Sequence, residues 1–170
     1  MEPIFEKIRI EPVRENDAAF LHQLMNDPAV MQALHEVPTT LRDWADAIGE
    51  WAKDEDEEDY IVFDKGRPIG WLGVNGLLDE SRTAYLKMAA FLPEYQGRGY
   101  GTFAILELMR ILKHKGVKKV VLYTDLCNVK AQACYKKCGF EVSASTEERM
   151  TDGRTVPRLI MAYEYRTSDT

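Results

Sequence analysis

A glycine-rich stretch from Phe91 to Thr102 constrains the fold of this chain more than any other feature. It reads Phe-Leu-Pro-Glu-Tyr-Gln-Gly-Arg-Gly-Tyr-Gly-Thr, and it follows an apolar run that begins at Met88. This order predicts a strand, a tight loop and the start of a helix. Because alternate glycines permit a tight turn and expose amides before a helix, the loop predicts a cradle for phosphate oxygens. A glycine-rich connection that binds nothing is the alternative.

Composition and charge bound the class of protein. The chain has 170 residues, of which 45% are hydrophobic and 29% charged. These values are typical of one soluble globular domain, and we expect a single domain over residues 1–170. The net charge is -6 and the basic residues form no long run. Nucleic acid is therefore not an expected partner, and a cationic or neutral substrate fits better.

Location and redox state are predicted from what the sequence lacks. The N-terminus has no basic segment followed by an apolar block, so it does not resemble a signal peptide. No apolar run reaches the roughly 20 residues that a membrane span requires, so we expect a cytoplasmic protein. Cys127, Cys134 and Cys138 have neither disulfide-framework nor zinc-site spacing. We interpret them as small buried hydrophobic residues, and we expect no metal.

Apolar residues at strand-like or helix-like spacing predict three elements in the N-terminal third. These are an edge strand through Ile4, Ile8, Ile10 and Val13, a helix through Phe20, Leu21, Leu24 and Met25, and a helix from Leu41 to Ala52. Asn16 or Asp17 is placed to cap the first helix, and Asp27-Pro28 to end it. Trp44 and Trp51 of the second helix are interpreted as core residues. The alternative is that one of them walls a substrate pocket.

Six consecutive acidic residues follow, from Asp54 to Asp59. One interpretation is a solvated loop whose charges keep strands from pairing with neighbours. The other is a rim that attracts a cationic substrate.

The rest of the chain alternates between strand-like and helix-like segments. The predicted elements are a hairpin of strands at 60–63 and 68–74, a strand at 84–92, a helix at 102–115, a strand at 117–126, a helix at 128–137, a strand from 140 and a last strand at 158–165. Strand, helix and strand from 84 to 126 should form a right-handed parallel unit. We therefore predict an α+β (mixed α/β) fold with one mixed sheet of six or seven strands and about four helices.

A second pattern lies on the helix that Asn128 is placed to cap. Ala131, Tyr135 and Cys138 follow at a spacing that puts all four residues on nearly one face. A face that is alternately polar and small suggests that something extended lies against it. A buried tyrosine with one hydrogen bond is the commoner alternative.

Together the two patterns are much more specific than either one. Residues 96–101 fit Gln/Arg-x-x-Gly-x-Gly/Ala, and residues 128–140 fit Asn-x-x-Ala-x-x-x-Tyr-x-x-x-Gly-Phe. The chain resembles the GNAT superfamily of acyl-CoA-dependent N-acetyltransferases over most of its length. The opening at 10–30 and the approach at 69–71 look like the branch with ribosomal-protein N-terminal and small-amine acetyltransferases. A dinucleotide-binding loop and a P-loop do not fit, because the third glycine comes one position early and Gly-Lys-Ser/Thr is absent.

The resemblance implies acetyl-CoA as the donor and a site between two splayed parallel strands. The loop amides would hold the pyrophosphate with added charge from Arg98, while Asn128 would hydrogen-bond the pantetheine arm and Ala131 would give it room. The cofactor-binding residues implied in this way are Phe91, Leu92, Gln96, Gly97, Arg98, Gly99, Tyr100, Gly101, Thr102, Asn128 and Ala131.

The resemblance also implies direct attack by an unprotonated amine, with a backbone N–H near Phe91 stabilising the oxyanion. Tyr135 matches the general acid that protonates the departing thiolate. Many relatives carry a glutamate as base where Tyr123 stands here, so Asp125 is the candidate base. Capping of the helix near Asn128 is the alternative role for Asp125. A water chain or the acidic run could also serve as base.

The acceptor is not specified by the sequence. A small amine or polyamine, an aminoglycoside and a protein amine all stay open, and a homodimer is possible. A non-catalytic acyl-CoA-binding or sensing protein with the same fold is the alternative from another class.

Overall fold

One mixed sheet of seven strands runs through the molecule, with five α-helices packed on its two faces, in the residues that the computed structural model describes, 8–166. The strands are β1 (Ile8–Pro12), β2 (Glu58–Asp64), β3 (Arg67–Asn75), β4 (Thr83–Phe91), β5 (Lys119–Asp125), β6 (Glu141–Arg149) and β7 (Thr155–Glu164). The helices are α1 (Ala18–Met25), α2 (Pro28–Leu34), α3 (Leu41–Trp51), α4 (Tyr100–His114) and α5 (Val129–Lys137). Ile4, predicted to belong to the first strand, lies outside the described residues.

The sheet has the order β1-β2-β3-β4-β5-β7-β6, and β4 with β5 is the one parallel pair among these seven strands. The parallel pairing joins Thr83–Tyr85 to Lys119–Val121 and then stops. Beyond that point β4 runs on to Phe91 and β5 to Asp125. The two strands therefore splay apart, as the family resemblance implies, and their facing backbone edges stay open.

Each face of the sheet carries its own hydrophobic core. On one face, Ala104, Ile105, Leu108 and Leu112 of α4 pack against apolar side chains of the central strands. On the other face, α1, α2 and α3 cover Ile61, Trp71 and Ala90. The second core reaches β4 but includes no residue of β5, where Tyr123 is 41% exposed, so β5 is not covered on both faces along its whole length.

The segment after Asp27 departs from the prediction. Asp27-Pro28 is expected from the sequence to end the first helix, but Asp27 also caps α2 by accepting hydrogen bonds from the N–H groups of Ala29 and Val30. Proline is compatible with the first turn of a helix, where its missing N–H has no partner to lose. The residues that end α1 therefore also begin α2, and the described residues contain five α-helices rather than about four.

Two further expectations are partly wrong. Cys127 is exposed and Cys134 is half-buried, so only Cys138 among the three cysteines is a buried residue. In the acidic run, Asp54 and Glu55 are exposed as a solvated loop would have them. Asp59, in contrast, is only 6% exposed. The run therefore passes from solvent into the sheet.

Candidate active site

The glycine loop joins the end of β4 to the start of α4. Gly97 and Gly99 have φ values of 71° and 91°, a region that residues with a side chain rarely adopt. Gly99 is the N-cap of α4 and supplies no side-chain cap. The first turn of a 15-residue helix is thus left without a capping side chain, which is the arrangement that favours an anionic ligand.

Side chains of the loop hold its shape. Gln96 donates a hydrogen bond from Nε2 to the carbonyl of Phe91 at 2.8 Å, which ties the loop back to β4. The guanidinium of Arg98 lies over the ring of Tyr100, 5.3 Å from its centroid, and donates to the carbonyl of Glu94 at 3.1 Å. Arg98 is exposed, so a positive charge stands beside the uncapped helix end.

Leu92, one of the predicted cofactor residues, is buried and hydrogen-bonded within the protein. It is 4% exposed, its N–H donates to the carbonyl of Ile69 at 2.9 Å, and its carbonyl accepts from Tyr95 at 2.9 Å. Its backbone therefore fixes the end of β4.

A cleft of about 300 Å³ lies where β4 and β5 diverge. Its walls include residues 86–89 of β4 and 123–125 of β5. Three of the residues predicted from the α5 pattern, Asn128, Ala131 and Tyr135, line the same cleft. The structure thus brings these three predicted residues together with Asp125.

The glycine loop and α5 meet at the side of this cleft. A Cβ built on Gly101 would lie 3.6 Å from the ring of Phe91 and 3.8 Å from the sulfur of Cys134. The hydroxyl of Thr102 lies 3.3 Å from the same sulfur. The two sequence patterns are therefore in direct contact in the fold.

Tyr135 has the environment of a proton donor. Its ring contacts Phe140 at 6.2 Å between centroids. Burial raises the pKa of Tyr135 above its usual value, and nearby Cys134 raises it further. The phenol therefore keeps its proton at neutral pH, as a general acid requires.

Asn128 caps α5 as predicted. Its side-chain oxygen accepts a hydrogen bond from the N–H of Ala131 at 3.1 Å. The amide nitrogen of Asn128 is a donor that this cap does not use.

Asp125 lies at the carboxyl end of β5 and is 8% exposed. One carboxylate oxygen accepts a hydrogen bond from His35 Nε2 at 2.7 Å, and the other accepts from Arg158 at 2.7 Å. No sequence pattern predicts His35 or Arg158 as a site residue. His35 is 90 positions from Asp125 and follows a helix that was not predicted, so no local pattern identifies it.

A second buried charge cluster surrounds Lys87 of β4. Its ammonium lies 2.8 Å from Glu57 and 3.3 Å from Asp59, and 4.8 Å from the ring centroid of Trp51. Trp71 donates from Nε1 to Asp59 at 2.8 Å. Burial raises the pKa of Asp59 to about 7, helped by its hydrogen bond with Glu57 and opposed by Lys87. The inner end of the acidic run is thus compensated within the protein.

Comparison with known proteins identifies the family. A model of the Acetyltransferase (GNAT) family matches residues 18–140. The chain belongs to this family and is an acetyl-CoA-dependent N-acetyltransferase, as the two sequence patterns predict. Within residues 8–166, no group of three or more His, Cys, Asp or Glu side chains is placed to hold a metal ion.

Two curated relatives come from the branch that the sequence suggests. The spermidine N(1)-acetyltransferase of Escherichia coli (strain K12) is 28% identical over 142 residues, which cover 82% of this chain and 76% of that protein. A putative ribosomal protein bS18-alanine N-acetyltransferase of Bacillus subtilis (strain 168) is 27% identical over 94 residues, 55% of this chain and 60% of that protein.

Solved structures confirm the predicted fold class. The spermidine N-acetyltransferase from Vibrio cholerae, solved with CoA and spermine, superposes with a TM-score of 0.84 at 22% identity, over 93% of this chain and 95% of that one. The aminoglycoside acetyltransferase AAC(6')-Ib, solved with coenzyme A, has a TM-score of 0.77 at 21% identity, over 92% and 94%. Within the described residues, no helix is both long and apolar enough to cross a membrane.

Proposed function

We propose that this chain acetylates a primary amine of a small, cationic, polyamine-like molecule in the cleft between β4 and β5. The observation that carries the proposal is that Asn128, Ala131 and Tyr135 line one cleft, at the point where the parallel pairing stops. An uncapped helix end with two glycines of positive φ lies next to them.

The donor would be held by this chain's backbone and by a few side chains. The first turn of α4 and the residues 96–102 suit the pyrophosphate, with Arg98 adding charge. The open backbone edges of β4 and β5 suit an extended arm with amide groups, and the free amide donor of Asn128 lies on the same cleft. When bound, acetyl-CoA supplies an acetyl group activated as a thioester.

Tyr135 is proposed as the general acid that delivers its phenolic proton to the leaving thiolate. The phenol is protonated at working pH, and its position on the cleft with Asn128 and Ala131 supports this role. The oxyanion is proposed to be stabilised by a backbone N–H near the end of β4.

The cleft favours a cationic acceptor through Glu36. Three basic side chains also line the cleft: Lys87 and Arg158 are paired with carboxylates, whereas Arg149 is exposed and forms no ion pair within the described residues. Among residues 8–166, no basic side chain forms an ion pair within 4 Å of Glu36. Burial raises the pKa of Glu36, and a hydrogen bond from Thr151 opposes this. A half-buried carboxylate that needs a counter-ion suits an ammonium group, and the spermidine acetyltransferases among the relatives support the same substrate class.

A non-catalytic acyl-CoA-binding protein is the second candidate. The observation that favours it is Tyr123, which stands in β5 where the resemblance leads one to expect an acid and is 41% exposed. Thiol release from acetyl-CoA, measured with a triamine, a monoamine, an aminoglycoside and a peptide α-amine, separates the candidates. We expect release that depends on the triamine. Tight cofactor binding without release for any amine would contradict the proposal and favour the second candidate.

Assembly and location are part of the proposal. A dodecameric structure of the Vibrio cholerae enzyme is similar to this chain with a TM-score of 0.80, which supports a homo-oligomer rather than a specific dimer. The cytoplasmic location stays a prediction from the sequence.

A further inference from the structure

The wall of the cleft opposite β4 is built from segments that are distant in sequence. The last residue of α2, Leu34, and Glu36 from the loop after it belong to this wall, and the hairpin between β6 and β7 contributes Met150 and Thr151. Neither segment belongs to the continuous part of the sheet at this point. Pairing of β7 with β5 already holds the base of the hairpin as far as Asp125 and Arg158, so the contacts that matter here are those that join the α2 loop and the hairpin tip to each other and to the end of β5.

His35 is held in a conformation that its sequence alone does not favour. Its φ is 57° and its ψ 37°, the left-handed region, and the residue is 7% exposed. It occupies the position after a helix where glycine is common, and a residue with a Cβ is strained there. Bonds made by its side chain compensate for this strain.

Both ring nitrogens of His35 are engaged, each with a different segment. Nε2 donates to Asp125 at 2.7 Å, at the end of β5. Nδ1 accepts from Arg154 of the hairpin at 3.2 Å, and the carbonyl of His35 accepts from the N–H of Asp152 at 3.1 Å. One side chain thus joins the α2 loop, β5 and the hairpin.

Arg158 of β7 completes the arrangement from the other side. It donates to the second oxygen of Asp125 at 2.7 Å and to the carbonyl of Tyr123 at 3.1 Å. A proton acceptor for the amine needs an oxygen directed toward the substrate. Both oxygens of Asp125 are instead occupied by short bonds to protein donors.

We propose that Asp125 is a positioning residue which, through His35 and Arg158, fastens the α2 loop and the β6–β7 hairpin to the end of β5 and so fixes Glu36 where the cationic acceptor binds. This inference rests on the proposed function and deepens it, since it assigns the residues that set the affinity for the acceptor. Asp125 itself does not touch the reacting atoms.

His35→Ala and His35→Gln form a matched pair for the test. The alanine removes the donor to Asp125, whereas the glutamine side chain carries an N–H donor of similar reach. With His35→Ala we expect the KM for a triamine to rise about 10- to 100-fold, the range for one lost hydrogen bond to a charged group. The kcat and the KM for acetyl-CoA should change by less than about threefold, and His35→Gln should restore most of the acceptor KM.

Arg154→Met tests the same inference without changing a buried residue, since the Arg154 side chain is 67% exposed. We expect a smaller rise in the acceptor KM, about 2- to 10-fold, because the bond from Arg154 to His35 is 3.2 Å long, against 2.7 Å for the bond from His35 to Asp125. An unchanged acceptor KM in both Arg154→Met and folded His35→Ala would overturn the inference.

Asp125→Asn separates positioning from proton acceptance. A positioning residue predicts a raised acceptor KM and a kcat that keeps the shape of its pH profile. A loss of kcat of about 100-fold or more at unchanged KM, with loss of the acidic limb, would instead make Asp125 the base and overturn the inference. Wild-type protein that releases no thiol with any amine would overturn the proposed function itself, which is a different result.

Discussion

At the scale of single residues, a substitution of Tyr135 tests the proposed acid catalysis directly. Tyr135→Phe removes the phenolic proton and keeps the ring that packs on Phe140. We expect kcat to fall about 10- to 1,000-fold, the usual contribution of a general acid, with little change in the affinity for acetyl-CoA. Steady-state kinetics and cofactor titration check this expectation. A variant with wild-type turnover would remove Tyr135 from the mechanism.

Asp59 has a charge state that the fold alters near neutral pH, because burial raises its pKa to about 7. A raised carboxyl pKa means that the fold favours the neutral form, since an unfolded aspartate has a pKa of about 4. This contribution to stability is therefore complete below about pH 4 and is lost as the pH rises through about 7.

We expect Asp59→Asn to flatten this dependence. The asparagine keeps an acceptor for Trp71 and offers a donor to Glu57, as the protonated acid does. From pH 5 to pH 8, the free energy of unfolding of the variant should gain at least about 1 kcal/mol relative to wild type. Denaturant unfolding at both pH values checks this. Equal pH slopes in the two proteins would show that Asp59 does not titrate in this range.

The limit of sequence reasoning is also visible at this scale. Asn128, Ala131 and Tyr135 were predicted because one helical repeat brings them together, and the structure places them on one cleft. The contact of His35 with Asp125 joins positions 90 apart. This contact depends on the path of the whole chain. A single histidine belongs to no repeated spacing from which the contact could be predicted.

At the scale of elements, a bulge in β4 determines where Lys87 points. In the pairing of β3 with β4, Gly73 faces Met88 and Val74 faces Leu86, so Lys87 is an extra residue. Bulges redirect side chains next to active sites. Gly73, which has no side chain, lets Lys87 cross β3 and reach the carboxylates of Glu57 and Asp59.

Gly73→Ala should therefore disrupt this cluster. A Cβ at this position would lie 2.6 Å from the carboxylate of Asp59 and 2.7 Å from Cε of Lys87. We expect a loss of about 1–3 kcal/mol in the free energy of unfolding, measured with denaturant, because overpacking forces neighbours to move.

Gly49→Ala is the matched control for that prediction. Gly49 lies in the exposed face of α3, and a Cβ there would meet no atom within 4 Å. The same change should stabilise the protein by about 0.5–1 kcal/mol through helix propensity. Similar effects at both positions would contradict the role assigned to Gly73.

Elements with strong periodicity were predicted well, and the exception has a physical reason. The helix α4 and strands β2 to β5 follow their apolar patterns. The short α2 was missed because Asp27-Pro28 is equally suited to follow one helix and to begin another. In this segment the same residues can signal the end of one helix and the beginning of another. The second helix forms because Val30 packs in the core that α1 and α3 share.

At the scale of the whole molecule, the net charge of -6 favours a cationic acceptor, but its distribution decides which charges matter. The acidic run lies outside the cleft walls, and its inner residues are compensated by Lys87. We expect the double change Asp54→Asn and Glu55→Gln, at exposed positions, to leave the triamine KM within about twofold, whereas Glu36→Gln should raise it about 5- to 30-fold.

The dependence of the acceptor KM on ionic strength independently tests which charges attract the acceptor. Exposed charges are screened over about 10 Å at 0.1 M, so the triamine KM should rise between about 50 mM and about 300 mM salt, and a monoamine KM should rise less. The variant with Asp54→Asn and Glu55→Gln should keep the wild-type salt dependence, because neither of the missing charges lines the cleft. If it instead loses that dependence, or matches Glu36→Gln in KM, the acidic run is the rim that attracts the acceptor.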